Sequence, residues 1–544
     1  MWRIKLIAGT FLLSALFESS AVVAQTVLLN DVTAKSGLSF SHVNGEQGAF
    51  WLPEIMGSGV GLLDMNDDGF LDIWFVQGGH LHTQEKTQMN DQLYLNAGIT
   101  GSMTFELVTK DYGLVADRYG MGIATADIDN DGDTDVFLAN FGPNQLFKNE
   151  SGKFQEVSIE AGVVDNAWSV SASFFHYNED ELVDLYVVNY VDFSFENHRI
   201  CLGITTVPDY CTPNVYESLA DQLLINQGDG TFYDASEKSG ISAKQGNGLG
   251  VVARDYNKDG LTDLYVANDA TPNFLWVNVS ASKLVDHAIR SGSAVNIDGR
   301  AEASMGVDAA DFDQDCDMDL FMTNLSGETN TVFVNGGEGW FRDRTRAEGL
   351  ASSSLAFTGF GTRWVDLDND GDLDIVSVNG TVSVNAQIVE ENQTRPFAQL
   401  NQAWIYEQGK YVLNCEGAFC TTKDTSRGLA VGDLDNDGDA DLVVTNNNGM
   451  ARIYENQTKG GNWIGFSLGK SIQPTIGTKI RLVDLPCSDR YFSTDGSYAS
   501  ASDPRVVFGL GPKSSNQSVL VRFPDGSERE YLDLKANKYH LLEK

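Results

Sequence analysis

Six stretches of the chain repeat one arrangement of oxygen-bearing side chains. Within nine residues, Asp or Asn stands at the first, third, fifth and ninth positions, and the sixth is glycine in five of the six. The fullest copy is Asp366-Leu-Asp368-Asn-Asp370-Gly371-Asp372-Leu-Asp374. The others place Asp64/Asn66/Asp68/Asp72, Asp127/Asp129/Asp131/Asp135, Asp255/Asn257/Asp259/Asp263, Asp311/Asp313/Asp315/Asp319 and Asp433/Asp435/Asp437/Asp441 at those positions. That spacing wraps a tight loop around one hard cation, with the backbone carbonyl of position seven completing the shell. Without a cation the loop is unfavourable, because carboxylates roughly 4 Å apart repel by several kcal/mol per pair at an effective dielectric near 20.

Calcium fits the pattern best. Magnesium demands rigid octahedral geometry and keeps several waters, and transition metals favour imidazole or thiolate, which the six loops do not align as ligands. About six Ca2+ sites are expected. A seventh, degraded copy is His176/Asn178/Asp180/Asp184, with Glu181 at the turn position, and there His176 is expected to pack or hydrogen-bond rather than ligate. Cys316 takes the turn position of the fifth loop. No loop carries the distant bidentate glutamate of a helix-flanked sensor, so the metal is expected to hold a scaffold together.

The flanking sequence shows what positions the loops. Their starts lie 63, 49, 79, 56, 55 and 67 residues apart, a period that marks a propeller or similar array. A glycine-rich strand precedes each loop, as in Gly57-Ser-Gly-Val-Gly-Leu-Leu63, and an apolar strand follows, as in Leu71-Asp-Ile-Trp-Phe-Val76. Two more follow, as in Gln92-Leu-Tyr-Leu-Asn96 and Phe105-Glu-Leu-Val-Thr109. Four short strands rich in β-branched and aromatic residues make one propeller blade. Glycine suits the first strand, which lies nearest the crowded axis. The last repeat lacks its fourth strand, whereas Leu29-Asn-Asp-Val-Thr33 then Gly37-Leu38 matches Phe154-Gln-Glu-Val-Ser158 then Gly162-Val163. Residues 27–34 are therefore expected to pair with 451–455 and close the ring, leaving no open edge.

A net charge of −39 excludes a nucleic-acid surface, and 42% hydrophobic content excludes a disordered tail. Residues 1–24 read as a signal peptide, with basic Arg3 and Lys5, an apolar run from Leu6 to Phe17, and small residues before Gln25. No later stretch is apolar enough to span a bilayer. Six cysteines suit an oxidising compartment. Cys201/Cys211 and Cys415/Cys420 are expected to pair locally, the first across a surface insertion. Cys316 and Cys487 have no obvious local partner, and six cysteines allow fifteen pairings. Past about Gly460 the loops stop and alternating strands with a Pro524-Asp525-Gly526 turn predict a small β-sandwich. The expected organisation is all-β: a seven-bladed calcium-binding propeller over 25–457 and a C-terminal β-domain over 458–544.

The Asp loops with their strand flanks resemble the FG-GAP or VCBS repeats of integrin-like propellers. Asn462-Trp463, Ile476-Gly477-Thr478, Phe508-Gly-Leu-Gly511 and Phe523-Pro-Asp-Gly526 resemble the ASPIC/UnbV domain. Together, behind a signal peptide, they resemble the cartilage acidic protein family and its bacterial relatives. The resemblance implies a secreted, calcium-binding propeller acting in extracellular or cell-surface interaction and adhesion, placed in the periplasm or on the cell surface in a bacterium. Its partner would be an extracellular protein or glycan. No nucleophile elbow, HExxH helix or phosphate-cradling loop is present, so an enzyme is not expected. A lectin-like propeller and a secreted polysaccharide-active enzyme remain the alternatives. Arg118, Tyr119, Arg254, Arg363 and Arg427 lie near axial strands, where they either pack structurally, the favoured expectation, or line a ligand mouth.

Overall fold

The computed structural model describes residues 26–81, 89–178, 180–203, 207–280, 282–383, 396–470 and 475–543. The expected signal peptide lies outside them, as does Asn392-Gln-Thr394, whose sequence is that of a glycosylation sequon. Seven antiparallel sheets follow one another along the chain, each built around one Asp loop. In the first, Val60–Leu63, Asp72–Phe75, Gln92–Asn96 and Phe105–Leu107 pair in sequence order, with the loop joining strands one and two. Second strands such as Asp72–Phe75 are buried at every residue, because neighbouring sheets cover both faces, so they read as unbroken apolar runs.

The seventh sheet takes a strand from the other end of the chain. Val27–Asp31 runs antiparallel to Arg452–Asn456, pairing Leu29 with Asn456 and Asp31 with Tyr454. Its other edge pairs in parallel with Cys415–Glu416. The first strands of the seven sheets then pack in cyclic order, the seventh (Ser426–Gly432) returning to Val60–Leu63. Seven apolar clusters fill the spaces between consecutive sheets. Trp74, Val136, Leu138 and Phe147 lie between the first and second, and Leu429, Val431, Val376 and Ile405 between the sixth and seventh. Each buried Leu or Phe contributes about 1.5–3 kcal/mol, spread over contacts far apart in sequence. The fold is propeller-like.

A second device joins the sheets. Asn96, at the end of a third strand, donates from Nδ2 to the Leu434 carbonyl of the preceding sheet's loop at 2.8 Å and to Leu71 of its own at 3.1 Å. Asn149, Asn226, Asn278, Asn335 and Asn456 likewise reach Met65, Ile128, Tyr177, Tyr256 and Leu367. Each clasp ties the second residue of one loop to the next sheet. In the sixth sheet Tyr406 takes the asparagine position, its N–H bonding Asp374, and its ring packs edge-on to Phe312 at 5.7 Å instead.

After the last loop the chain forms a module of two sheets. One contains Asn462–Leu468, Val506–Gly511 and Tyr539–Leu542, and the other Arg490–Tyr491, Lys479–Leu482, Gln517–Arg522 and Glu528–Leu534. Ile464, Phe466, Ile480, Phe508, Val519 and Val521 fill the space between them. Between two of these strands, residues 493–503 leave the module and run down the axis of the ring. Ser497 exchanges backbone hydrogen bonds with Val307, Ala501 bonds Val60 and Leu62, and the Ala499 carbonyl accepts from Ile123. Tyr498 Oη reaches the Met56 carbonyl, at the strand end away from the Asp loops. Small side chains permit this approach on both partners: a Cβ on Gly59 would sit 1.6 Å from the Ala499 oxygen.

Candidate metal centres

Five of the six good loops share one internal hydrogen-bond pattern, and in the other the Asp259 N–H goes to Asn257 Oδ1 instead of Asp255. In the sixth, Asp366 accepts the Asp370 N–H at 3.1 Å and the Gly371 N–H at 3.0 Å, and Asp370 accepts from Asp372 at 2.8 Å. Asp374 Oδ2 accepts from Leu367, and its Oδ1 accepts from Tyr406 on the third strand. The ninth aspartate is therefore a backbone tie as well as a candidate ligand. In the degraded third loop Asp184 makes the same two bonds, to Tyr177 and Asn226. The turn position needs a left-handed backbone, with φ 102° at Gly371 and 73° at Cys316.

The loops differ in how completely they are built. In four, three carboxylates bring ligand atoms within 4.8 Å of one another: Asp127/Asp129/Asp135, Asp311/Asp313/Asp315, Asp366/Asp368/Asp374 and Asp433/Asp435/Asp441. All four carry Asp at the third position. Where Asn stands there, Asn66 and Asn257 donate to Asp68 and Asp259 at 3.1 and 3.0 Å, which lowers the negative charge within the loop. The remaining predicted positions, Asp64, Asp72, Asp131, Asp255, Asp263, Asp319, Asp370 and Asp437, keep their places on these loops.

The donor set fits a hard divalent cation. Asp368 Oδ1 and Asp435 Oδ1 have no hydrogen-bond partner, although their residues are only 5% and 3% exposed. A buried, unpartnered carboxylate oxygen is costly. Burial, reinforced by neighbouring carboxylates, pushes Asp366 and Asp72 up to about 8 and Asp319 up to about 9. Burial and the charges of Asp437 and Asp433 push Asp435 up to about 7. Without a counter-charge these groups cannot all stay ionised near neutrality. A bound cation supplies that charge and reverses the preference.

The C-terminal module touches all seven loops. Lys470 Nζ bridges Asp67 and Asp133 at 2.7 and 2.9 Å. His176 bonds the Ile476 carbonyl through Nε2 and the Leu182 carbonyl through Nδ1, so it serves the interface, as a hydrogen-bonding residue would. Lys479 lies 3.6 Å from Asp255. Cys316 forms a disulfide with Cys487, anchoring the fifth loop to the module across 171 residues of sequence. Gly511 donates to the Asn369 carbonyl at 2.8 Å, and Tyr539 Oη to Asp433 Oδ2 at 2.9 Å. Cys201–Cys211 and Cys415–Cys420 are the other two disulfides.

The alternative of an open basic mouth on the axis is overturned, because the inserted segment fills that position. Arg254 Nη1 bonds Asp495 Oδ1 at 2.9 Å and Arg363 bonds the Asp495 carbonyl. Arg427 is wholly buried, donates to the Ile55 and Gly380 carbonyls, and stacks 3.9 Å from the Phe360 centroid. Arg118 lies elsewhere, on Pro143 and Glu156, and Tyr119 Oη donates to Asn44. Residues 497–502 are Ser-Tyr-Ala-Ser-Ala-Ser; Tyr498 packs edge-on to Phe360 at 4.9 Å, and the remaining side chains are small enough to lie against Gly59 and Gly122 of the inner strands.

FG-GAP-like repeat models match residues 64–138, 127–187, 210–266, 255–322 and 311–377, and an FG-GAP repeat model matches 427–462. A model described as ASPIC and UnbV matches 469–544. The chain belongs to the FG-GAP-repeat, ASPIC/UnbV family. Within this family it is similar to cartilage acidic protein 1 of Homo sapiens, with 22% identity over 501 residues, 78% of this chain and 72% of the relative. The Xenopus tropicalis protein of the same name is 22% identical over 516 residues, 87% of this chain and 71% of the relative. Among solved structures it is similar to Saccharomyces cerevisiae Sqt1, with 9% identity, TM-score 0.40, and 80% and 99% of the two chains covered. An Agrocybe aegerita lectin that recognises non-reducing terminal N-acetylglucosamine aligns with 16% identity and TM-score 0.35, over 60% of this chain and 77% of the lectin.

Proposed function

We propose that this chain is a secreted, seven-bladed calcium propeller that acts as a non-enzymatic scaffold for contact with an extracellular protein or glycan. The observation that carries the reading is that the candidate metal loops all lie against the C-terminal module. Cations held there neutralise the loops and fix the surface on which the module sits. Their effect is on stability and shape, since binding to the folded state alone stabilises it by mass action. Three disulfides accord with an oxidising compartment, and no helix among the described residues is long and apolar enough to cross a membrane.

With the axis filled and the loop face covered, the opposite end of the ring offers a surface for a partner. Half-buried Trp51, Tyr119, Phe141, Phe195, Tyr210 and Tyr216 gather there, aromatic residues of the kind enriched at interfaces. The test is melting and limited proteolysis of the full chain in calcium and in chelator, followed by glycan-array and cell-surface binding under both conditions. The reading predicts a lower melting temperature and a protease-sensitive module in chelator, with binding lost in parallel. Unchanged melting and unchanged proteolysis would refute it.

A further inference from the structure

The second loop contains a cation of its own. Lys148 Nζ lies 2.6 Å from Asp129 Oδ2 and 3.7 Å from Asp131 Oδ2, the third and fifth positions of that loop, and 3.6 Å from Glu150. Lys148 sits on the third strand of its sheet, one residue before the clasp asparagine Asn149, whose N–H bonds the ninth aspartate Asp135. In the seventh sheet Asn456 makes the equivalent bond to Asp441, so the residue equivalent to Lys148 there is Glu455. In the first, fourth and fifth sheets the position holds Leu95, Val277 and Val334. One side chain position beside the loop is therefore cationic in the second repeat, neutral in most, and anionic in the seventh.

The same two loops differ in exposure. Asp433, Asp435 and Asp441 are all buried, and Asp435 Oδ1 has no partner. Arg505 is near the seventh loop, donating to the Asp433 carbonyl, but its charge is matched by Asp503 through Nε and Nη2 at 3.0 and 2.9 Å. In the second loop Asp129 keeps one oxygen free while Lys148 takes the other. Affinity for calcium rises with the number of charged ligands and the rigidity of the site.

We propose that Lys148 is a resident counter-cation of the second loop and Glu455 an additional anion beside the seventh, so that among the four loops that gather three carboxylates the seventh takes a divalent cation first and the second last. This rests on reading the loops as calcium sites. The six loops then fill over a wide concentration range rather than together. At intermediate calcium, the seventh loop, which Tyr539 and Arg505 of the C-terminal module contact, is loaded while the second is not.

The experiment is calorimetric calcium titration of the full chain and of Lys148→Leu and Glu455→Leu, the substitutes being the residue the first repeat carries. Lys148→Leu is expected to tighten one of the weaker steps about tenfold, and Glu455→Leu to weaken one of the tighter steps about tenfold. In chelator, Lys148→Leu should melt below the parent, having lost its counter-cation, and in saturating calcium it should match or exceed it. Lys148→Gln, which keeps a donor without the charge, serves if the leucine variant does not fold. Titrations unchanged by both substitutions, or shifted the opposite way, would overturn the tuning and leave the calcium reading intact. Absence of calcium uptake by the parent chain would sink the underlying reading instead.

Discussion

The inserted segment gives a quantitative test of how the module is held. Arg254 and Asp495 form an ion pair with side chains only 4% and 5% exposed, and Asp495 also accepts from Ser173 Oγ at 2.9 Å and the Ala253 N–H at 2.8 Å. Arg254→Met leaves that carboxylate buried without its cation, which costs about 3–5 kcal/mol. At an unfolding entropy of about 2.1 cal/mol/K per residue, a cooperative 544-residue chain would lose roughly 3–4 °C in melting temperature. Asp495→Ala should cost a similar amount. The double variant should recover at least about 1 kcal/mol of the summed loss, because neither partner is then stranded. Calorimetric melting of the four proteins in saturating calcium reads this directly. Single variants within about 0.5 kcal/mol of the parent, or a double variant showing simple additivity, would refute a threaded axis.

Other perturbations test separate joints. Asn335→Ala removes the donor to the Tyr256 and Met318 carbonyls and should cost about 1–3 kcal/mol in denaturant unfolding, whereas an exposed asparagine such as Asn516 changed to Ala should cost under about 0.5. Cys487→Ser, compared with the parent under oxidising conditions, should lower stability by up to about 5 kcal/mol, since the Cys316–Cys487 bridge closes 171 residues. In chelator, stability should fall as pH rises from about 4 to about 9. Asp72, Asp135 and Asp263 are raised to about 8 by burial, so the folded state binds more protons than the unfolded one across that window, and the advantage is gone once pH passes the folded value. With calcium bound the ninth aspartates stay ionised, so the calcium-induced rise in melting temperature should grow with pH. A flat profile in chelator would contradict this.

Much of the repeat architecture was legible because it is local. Loop spacing, glycine before each loop and apolar runs after it each follow from contacts within one sheet. The pairing of Val27–Asp31 with Arg452–Asn456 was readable for the same reason, since a missing strand at one end matched a spare one at the other. The Asn clasps were missed although Asn96, Asn149 and Asn226 recur visibly, because their function lies in the preceding sheet. The axial insertion was missed because Ser-Tyr-Ala-Ser-Ala-Ser has no pattern of its own and gains meaning only against Gly59 and Gly122. Cys316 and Cys487 showed no pairing because nothing in their spacing reports a module folded back over the fifth loop. Lys148 and Glu455 carry no signal in the sequence, because only the folded third strand brings that position beside a loop.

The central claim is that the Asp loops hold calcium and that the metal maintains the scaffold. Equilibrium dialysis of the full chain against calcium, with melting followed at each free concentration, tests it most directly. The account predicts saturable uptake approaching six ions per chain, one for each well-formed loop of the sequence, and a melting temperature that climbs as they fill. No uptake at millimolar calcium, together with the same melting temperature in chelator, would contradict it.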